Sequence, residues 1–205
     1  MTTGSGKTLV WDIGSVLLDW SPDYLFSKLI PDDDARAAFY ARLPLDEMNL
    51  DGDRGRLEPV VAALADKHPE DAMLILPWWA AWDRMCGGLI DEMVSLRNDL
   101  RSQGTPCWAL TNFAADSWDR GVEIYPELAQ FDGLVVSGRE GVVKPDGRIY
   151  EIMEQRTGKP GADLFFIDDR DYNIQSARDR GWDGHVFDGD VTALKAALRS
   201  AGFHA

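Results

Sequence analysis

The chain has 205 residues, 45% of them hydrophobic and 27% charged, a balance that suits one globular domain, or one domain carrying a small insertion, and excludes disorder and collagen-like repeats. Lys and Arg number 21 against 35 Asp and Glu, a formal net charge of −14, so nucleic-acid and membrane-surface partners are not expected. Two cysteines, Cys86 and Cys107, are too few for a disulfide framework and read as small buried hydrophobes of a reducing cytoplasm; the first residues do not read as a signal peptide, and no run of about 18 apolar residues is present.

The strand signals are short apolar runs at 8–13, 106–110, 133–136, 164–167 and 185–187. Each is followed by Gly, Asp, Asn or Ser, as buried parallel strands are. Between them lie helical patterns. Leu89, Met93, Leu96 and Leu100 recur at helical spacing before Gly104; Ile149, Ile152 and Met153 mark a helix ending near Gly158; 173–180 forms a third, stopped by Gly181; Val191, Leu194 and Leu198 mark the last. Alternating strands and helices imply βαβ units: an α/β, Rossmann-like parallel sheet flanked by helices. Residues 21–88 interrupt the alternation. Ser21-Pro22 reads as a helix start, and Pro31, Pro44, Pro59, Pro69 and Pro77 punctuate the rest of that stretch. The expected organisation is a core of 1–20 and 89–205, with 21–88 as a small helical cap inserted after the first strand. That cap stands over the carboxyl end of the strand, where open α/β sheets bind ligands.

Several local patterns carry no function. Residues 4–8, Gly-Ser-Gly-Lys-Thr, resemble the end of a phosphate-binding loop, but the pattern needs glycine where Met1 stands and a strand before it, whereas the strand comes after. The Asp51–Gly55 stretch hints at a calcium loop, yet Arg56 and Ala62 occupy the places of its required Gly and Glu. Trp78, Trp79 and Trp82 read as packing of the insertion. His68, His185 and His204 are scattered without metal-ligand spacing.

Four segments place polar residues directly after an apolar strand: Asp12 and Gly14; Thr111 and Asn112; Lys144; and Asp168, Asp169 and Asn173. On a parallel sheet these ends converge on one edge, gathering three carboxylates, a lysine, a hydroxyl and an amide. Clustered acids repel unless a cation or a shared proton holds them. A hard divalent ion with oxygen ligands, Mg²⁺, is the natural partner.

These segments, read in order as DIGSVLLDW, LTNF, VVKPDGRIY and FIDDRDYNI, resemble the four motifs of the haloacid dehalogenase superfamily, and 21–88 sits where that family inserts its type 1 cap. The resemblance implies a hydrolase whose nucleophile, Asp12, forms an aspartyl-phosphate. It implies that Thr111 and the Asn112 backbone bind phosphoryl oxygens and that Lys144 neutralises charge. Asp169, Asp12 and the Gly14 carbonyl would hold Mg²⁺, with Asp168 and Asn173 orienting that shell. The implied substrate is a small phosphate ester, and the protein is expected as a cytoplasmic monomer or homodimer.

One departure matters. The family's phosphatases usually carry a second Asp two residues after the nucleophile as general acid and base, where this chain has Gly14. Asp19, or an acid from the cap such as Asp53, is a candidate substitute. Two other functions compete with the phosphatase. A 2-haloacid dehalogenase would use the same Asp12 without metal and needs no proton for its leaving halide, but Asp168-Asp169 would repel a haloacid's carboxylate. A non-catalytic binding protein on this scaffold would have no need of Asp12, Lys144 and Asp169 together.

Overall fold

The computed structural model describes residues 6–205. Residues 1–5, and with them the start of the Gly-Ser-Gly-Lys-Thr stretch, lie outside the described residues. The strands are β1 (Thr8–Trp11), β2 (Leu18–Trp20), β3 (Cys86–Leu89), β4 (Cys107–Thr111), β5 (Gly133–Val136), β6 (Leu164–Asp168) and β7 (Asp183–Val186). Five of them form one sheet in the order β5-β4-β1-β6-β7, with every neighbouring pair parallel.

The sheet is central because both its faces are covered. All four residues of β1 are buried, and successive side chains enter opposite layers. Leu9 and Trp11 join Met93, Leu96, Leu100, Leu194 and Leu198 on one face. Val10 joins Ile149, Tyr150, Met153, Ile174 and Ala177 on the other. The helices supplying these residues are Asp91–Ser102 and Val191–Ser200 on the first face, and Gly147–Thr157 and Asp171–Asp179 on the second. The result is a three-layer α/β/α sandwich, as the alternating pattern requires.

Between β2 and β3 the chain forms six helices, Asp23–Leu29, Asp33–Arg42, Leu45–Gly52, Leu57–Lys67, Ala72–Ile75 and Pro77–Ala80, and a final 3₁₀ turn, Trp82–Met85. Phe26 anchors their interior, with its ring 5.5 Å from those of Phe39 and Trp78. Trp78 and Trp82 are buried, as a packing role demands, while Trp79 is half-buried beneath the Arg120 guanidinium.

The sequence pattern misses the stem of this insertion. β2 and β3 pair antiparallel, Leu18 opposite Leu89 and Asp19 opposite Gly88, so a boundary at residue 88 cuts through a strand. The reason is local. Cys86–Leu89 carries two glycines and is nowhere fully buried, so it has neither alternation nor an apolar run to betray it. The sequence reading likewise passes over the helix Ala115–Ile124, whose buried residues are Ser117, Trp118 and Gly121.

That helix fastens the insertion to the sheet. The Asp116 carboxylate accepts from the backbone N–H of Leu57 at 2.9 Å and of Glu58 at 3.1 Å, capping from outside the helix Leu57–Lys67, whose preceding residue Arg56 gives no side-chain cap. Ala115 N–H donates to the Gly55 carbonyl at 2.8 Å. Gly138 packs so closely here that a Cβ would lie 2.6 Å from the Gly55 carbonyl oxygen and 2.8 Å from that of Phe113. Loss of a helix cap costs about 1 kcal/mol, so Asp116→Ala is expected to lower the melting temperature by about 2–4 °C. Differential scanning calorimetry checks this, and an unchanged melting temperature contradicts the capping role.

Candidate active site

Asp12 follows β1 directly, and its N–H donates to the Ile167 carbonyl at 2.8 Å, which carries the sheet pattern one residue further and sets the carboxyl group beside the end of β6. Its Oδ1 accepts from Ile13 N–H at 2.7 Å. The chain then doubles back: Leu17 and Leu18 N–H both reach the Ile13 carbonyl, at 2.8 and 2.9 Å. Ser15 takes φ +57° to close the turn, a conformation few non-glycine residues adopt. Ile13, Val16 and Leu17 are wholly buried and hold the loop against the core.

Lys144 reaches the same point from the loop after β5. Its ammonium lies 2.9 Å from Asp12 Oδ2 and 2.7 Å from Asp168 Oδ2, with only 2% of the residue exposed. Asn112, one residue past β4, fixes the lysine backbone with a reciprocal pair. Asn112 Nδ2 donates to the Lys144 carbonyl at 3.0 Å, and Lys144 N–H donates to Asn112 Oδ1 at 2.7 Å. At the end of β6, Asp168 is fully enclosed. Besides Lys144, it accepts from Arg170 N–H and Asn173 Nδ2, both at 2.9 Å. Asp169 stands at the mouth, its Oδ2 3.2 Å from Arg170 Nε.

The expected residues therefore converge, but in two shells. Asp12, Gly14, Asn112, Lys144, Asp169 and Asn173 line one cavity of about 190 Å³. Asp168 lies behind Lys144. Thr111 is buried at the end of β4, and its hydroxyl has no hydrogen-bond partner. Of the two candidate substitutes for an acid at Gly14, Asp19 is placed wrongly. It lies on β2 between Leu18 and Trp20, which line the cavity; strand alternation turns it to the other side, where it accepts from the Tyr24 hydroxyl at 2.6 Å. Asp53 does line the cavity. Asn49, Trp82, Ser117 and Arg170 line it too, and the motifs do not point to them. Only Arg170 has a signal, its place beside Asp169; the others come from the insertion or from the helix Ala115–Ile124.

The electrostatics follow from burial and crowding. Burial pushes the Asp12 carboxyl up to about 7, against the pull of Lys144 and with the added push of Asp168 and Asp169. Asp169 is raised as well, by burial and by Asp168, against Arg170. Lys144 is desolvated, yet Asp12 and Asp168 hold it above its ordinary value and charged. The Asp53 carboxyl is raised to about 7 by burial, against a bond from Ala114 N–H and the fields of Lys144 and Arg54. Oxygens of Asp12, Asp168 and Asp169 lie within 4.8 Å of one another. An all-carboxylate donor set suits a hard ion such as Mg²⁺; Asp169 can still give an oxygen, while both of Asp168's are engaged.

No family model matches the chain. A sesquiterpene phosphatase of Aspergillus oryzae is 28% identical over 195 residues, covering 92% of this chain and 94% of the relative. Among solved structures, a haloacid dehalogenase family enzyme of Bacteroides thetaiotaomicron in complex with magnesium and inorganic phosphate superposes with a TM-score of 0.70 at 21% identity, covering 92% of this chain and 98% of that one. An L-2-haloacid dehalogenase of Xanthobacter autotrophicus, with chloropropionic acid covalently bound, gives 0.66 at 19% identity, covering 97% and 84%. At these identities the structures speak for the fold.

Lys144 is the only cation within bonding distance of Asp12 among the described residues. Removing one member of a buried ion pair costs about 3–5 kcal/mol. Lys144→Met is therefore expected to lower the melting temperature by several degrees. The loss should be larger at pH 8 than at pH 5, where Asp12 takes up a proton and the missing counter-charge matters less. A loss independent of pH contradicts this account of the site.

Proposed function

We propose that the chain is a member of the haloacid dehalogenase superfamily and a Mg²⁺-dependent phosphatase acting on a small organic phosphate ester through an aspartyl-phosphate on Asp12. The observation that carries the reading is the trio of carboxylates around Lys144, with Asp169 left open at the cavity mouth. A haloacid brings its own carboxylate and needs no metal, so two extra acids beside the nucleophile would oppose it. A phosphate ester carries its charge on the reacting group, and phosphoryl transfer is mainly positioning plus charge neutralisation.

Each side chain has a role in that scheme. Asp12 Oδ2 attacks phosphorus in line with the departing oxygen. Lys144, held by Asn112 and Asp168, keeps a fixed positive charge beside the nucleophile and the phosphoryl oxygens. The Thr111 hydroxyl, unbonded within the protein, and the Asn112 backbone donate to those oxygens. Asp12, Asp169 and the Gly14 carbonyl would hold Mg²⁺, which supplies the charge that one lysine cannot provide against three carboxylates. Asp168 and Asn173 orient that set. We take the helical insertion between β2 and β3 to be the cap, a lid whose closure keeps bulk water from the aspartyl-phosphate. The leaving group has an apolar part: Leu18, Trp20, Leu57, Trp82 and Phe113 line the cavity, and the Aspergillus relative is named for a terpenoid substrate. Two cysteines that form no disulfide support a cytoplasmic setting.

Chelation is expected to abolish hydrolysis of a phosphate-ester panel and added Mg²⁺ to restore it. Asp12→Asn should abolish both turnover and acid-stable phosphoenzyme, and Asp169→Asn should weaken Mg²⁺ affinity at least about tenfold, as loss of a metal ligand or its support does. Release of halide from 2-chloropropionate by chelated protein at full rate would replace this reading with the dehalogenase.

A second expectation concerns pH. Asp12 is raised from 3.8 to about 7 on folding, so the folded state binds the extra proton over that interval. Metal-free protein must then lose stability as pH climbs through it. Mg²⁺ favours the ionised carboxylate and restores what is lost. The rise in melting temperature on adding Mg²⁺ should therefore be larger at pH 8 than at pH 5; an equal rise at both counts against Asp12 as a ligand.

A further inference from the structure

Gly14 leaves the site without an acid at the position where a proton donor would stand two residues after the nucleophile. The place is empty as well as aprotic: a Cβ built on Gly14 meets nothing within 4 Å, and Gly14 itself lines the cavity. An alkoxide is a poor leaving group, so an ester of an ordinary alcohol needs a proton delivered as the P–O bond breaks. Asp12 is occupied as nucleophile, Asp168 is sealed behind Lys144, and Asp169 faces Arg170. Among the described residues lining the cavity, Asp53 is the one carboxyl with no part in that scheme.

Resting on the phosphatase reading, we propose that Asp53, carried in by the helical insertion, is the general acid and base of the reaction. In the first half-reaction, Asp12 Oδ2 forms the bond to phosphorus while the ester P–O bond breaks, and the Asp53 carboxyl proton passes to the departing oxygen, releasing the alcohol. In the second, the Asp53 carboxylate takes a proton from water as its oxygen bonds to phosphorus. The bond to Asp12 breaks, inorganic phosphate leaves, and Asp53 is protonated again. One ester and one water become one alcohol and one phosphate, with no other reactant.

The structure holds Asp53 in place by contacts on both sides of it. Its backbone carbonyl accepts from the Ser137 hydroxyl at 2.6 Å, and Ser137 in turn is bonded to Phe113 N–H at 2.8 Å, beside Asn112. Two residues on, Gly55 is held by Ala115 N–H, and Leu57 and Glu58 by the Asp116 carboxylate. The loop is thus pinned to the sheet edge on both sides of Asp53. On the side chain, Oδ2 accepts from Asn49 Nδ2 at 3.3 Å, and the Ala114 N–H also bonds to the carboxyl. Its environment suits both tasks, since burial raises the carboxyl to about 7, where it can give and take a proton near neutral pH.

The test compares leaving groups in the Mg²⁺-loaded protein. Asp53→Asn keeps the shape and the Asn49 neighbour but has no proton to give. Against an alkyl phosphate, its kcat/KM should fall by at least about a hundredfold. With 2,4-dinitrophenyl phosphate, whose phenolate leaves unaided, it should show a rapid stoichiometric burst followed by slow turnover, and phosphoenzyme should accumulate on acid quench. Asp19→Asn should match the wild type on both esters. Equal losses on both esters without a burst, or no loss on either, overturn the assignment. Should Asp53→Asn not fold, the wild type alone decides: a proton donor makes kcat/KM nearly independent of leaving-group acidity, and a steep dependence overturns the proposal. A wild type that hydrolyses no ester brings down the phosphatase reading and this one together; a wild type that is active with a steep dependence brings down this one alone.

Discussion

The ammonium group of Lys144, wedged between Asp12 and Asp168 at 2.9 and 2.7 Å, is the interaction on which the site depends. A charge so enclosed is tolerated only when it is paired, and here one lysine answers two acids. The need to satisfy it draws three separate segments together: the turn after β1, the loop carrying Lys144 and the end of β6. Asn112 adds the fourth by gripping the lysine backbone from both sides. The pairing is incomplete, however, since burial and the remaining acids still hold Asp12 well above the usual carboxylate range. That residual imbalance makes a cation complementary to the site.

The central sheet makes this convergence inexpensive. Its strands run parallel with β1 in the middle, so the carboxyl ends of β1, β4 and β6 meet at one edge without special loops. The layers beneath are apolar and closely packed, and the strained backbone beside Asp12, at Ser15, is braced by buried Ile13, Val16 and Leu17. The insertion contributes what the sheet cannot, a wall facing the strand ends. It is attached through the β2–β3 ribbon and through the 53–58 loop, whose backbone groups bond to Ser137, Ala115 and Asp116. The close approach of Gly138 to the Gly55 carbonyl shows how little space separates the two parts at that seam.

Much of the frame is legible in the residues. The runs at 133–136 and 164–167 are β5 and most of β6, and the helices foreseen around Met93, Ile149, Ile174 and Leu194 occur on the two faces of the sheet. Buried parallel strands and amphipathic helices write their environment into composition and period, so a single chain reveals them. The glycine-bearing β3 does not, because it is held by pairing with a distant strand.

For the site, the order of residues is enough to say which groups stand at the strand ends: Asp12, Thr111, Asn112, Lys144, Asp168 and Asp169 follow apolar runs, and the sheet's polarity brings them together. It does not rank them by depth. Three-dimensional packing is what seals Asp168 behind Lys144 while Asp169 opens to the cavity. Nor does the order of residues choose between Asp19 and Asp53. Asp19 is the nearer to Asp12 along the chain, but strand alternation on β2 turns it to the Tyr24 hydroxyl. Asp53 is far away in sequence and yet lines the cavity, because the insertion folds back and Ser137, 84 positions on, takes hold of its carbonyl. Contacts across such separations depend on how whole elements pack, and no local pattern of residues encodes them.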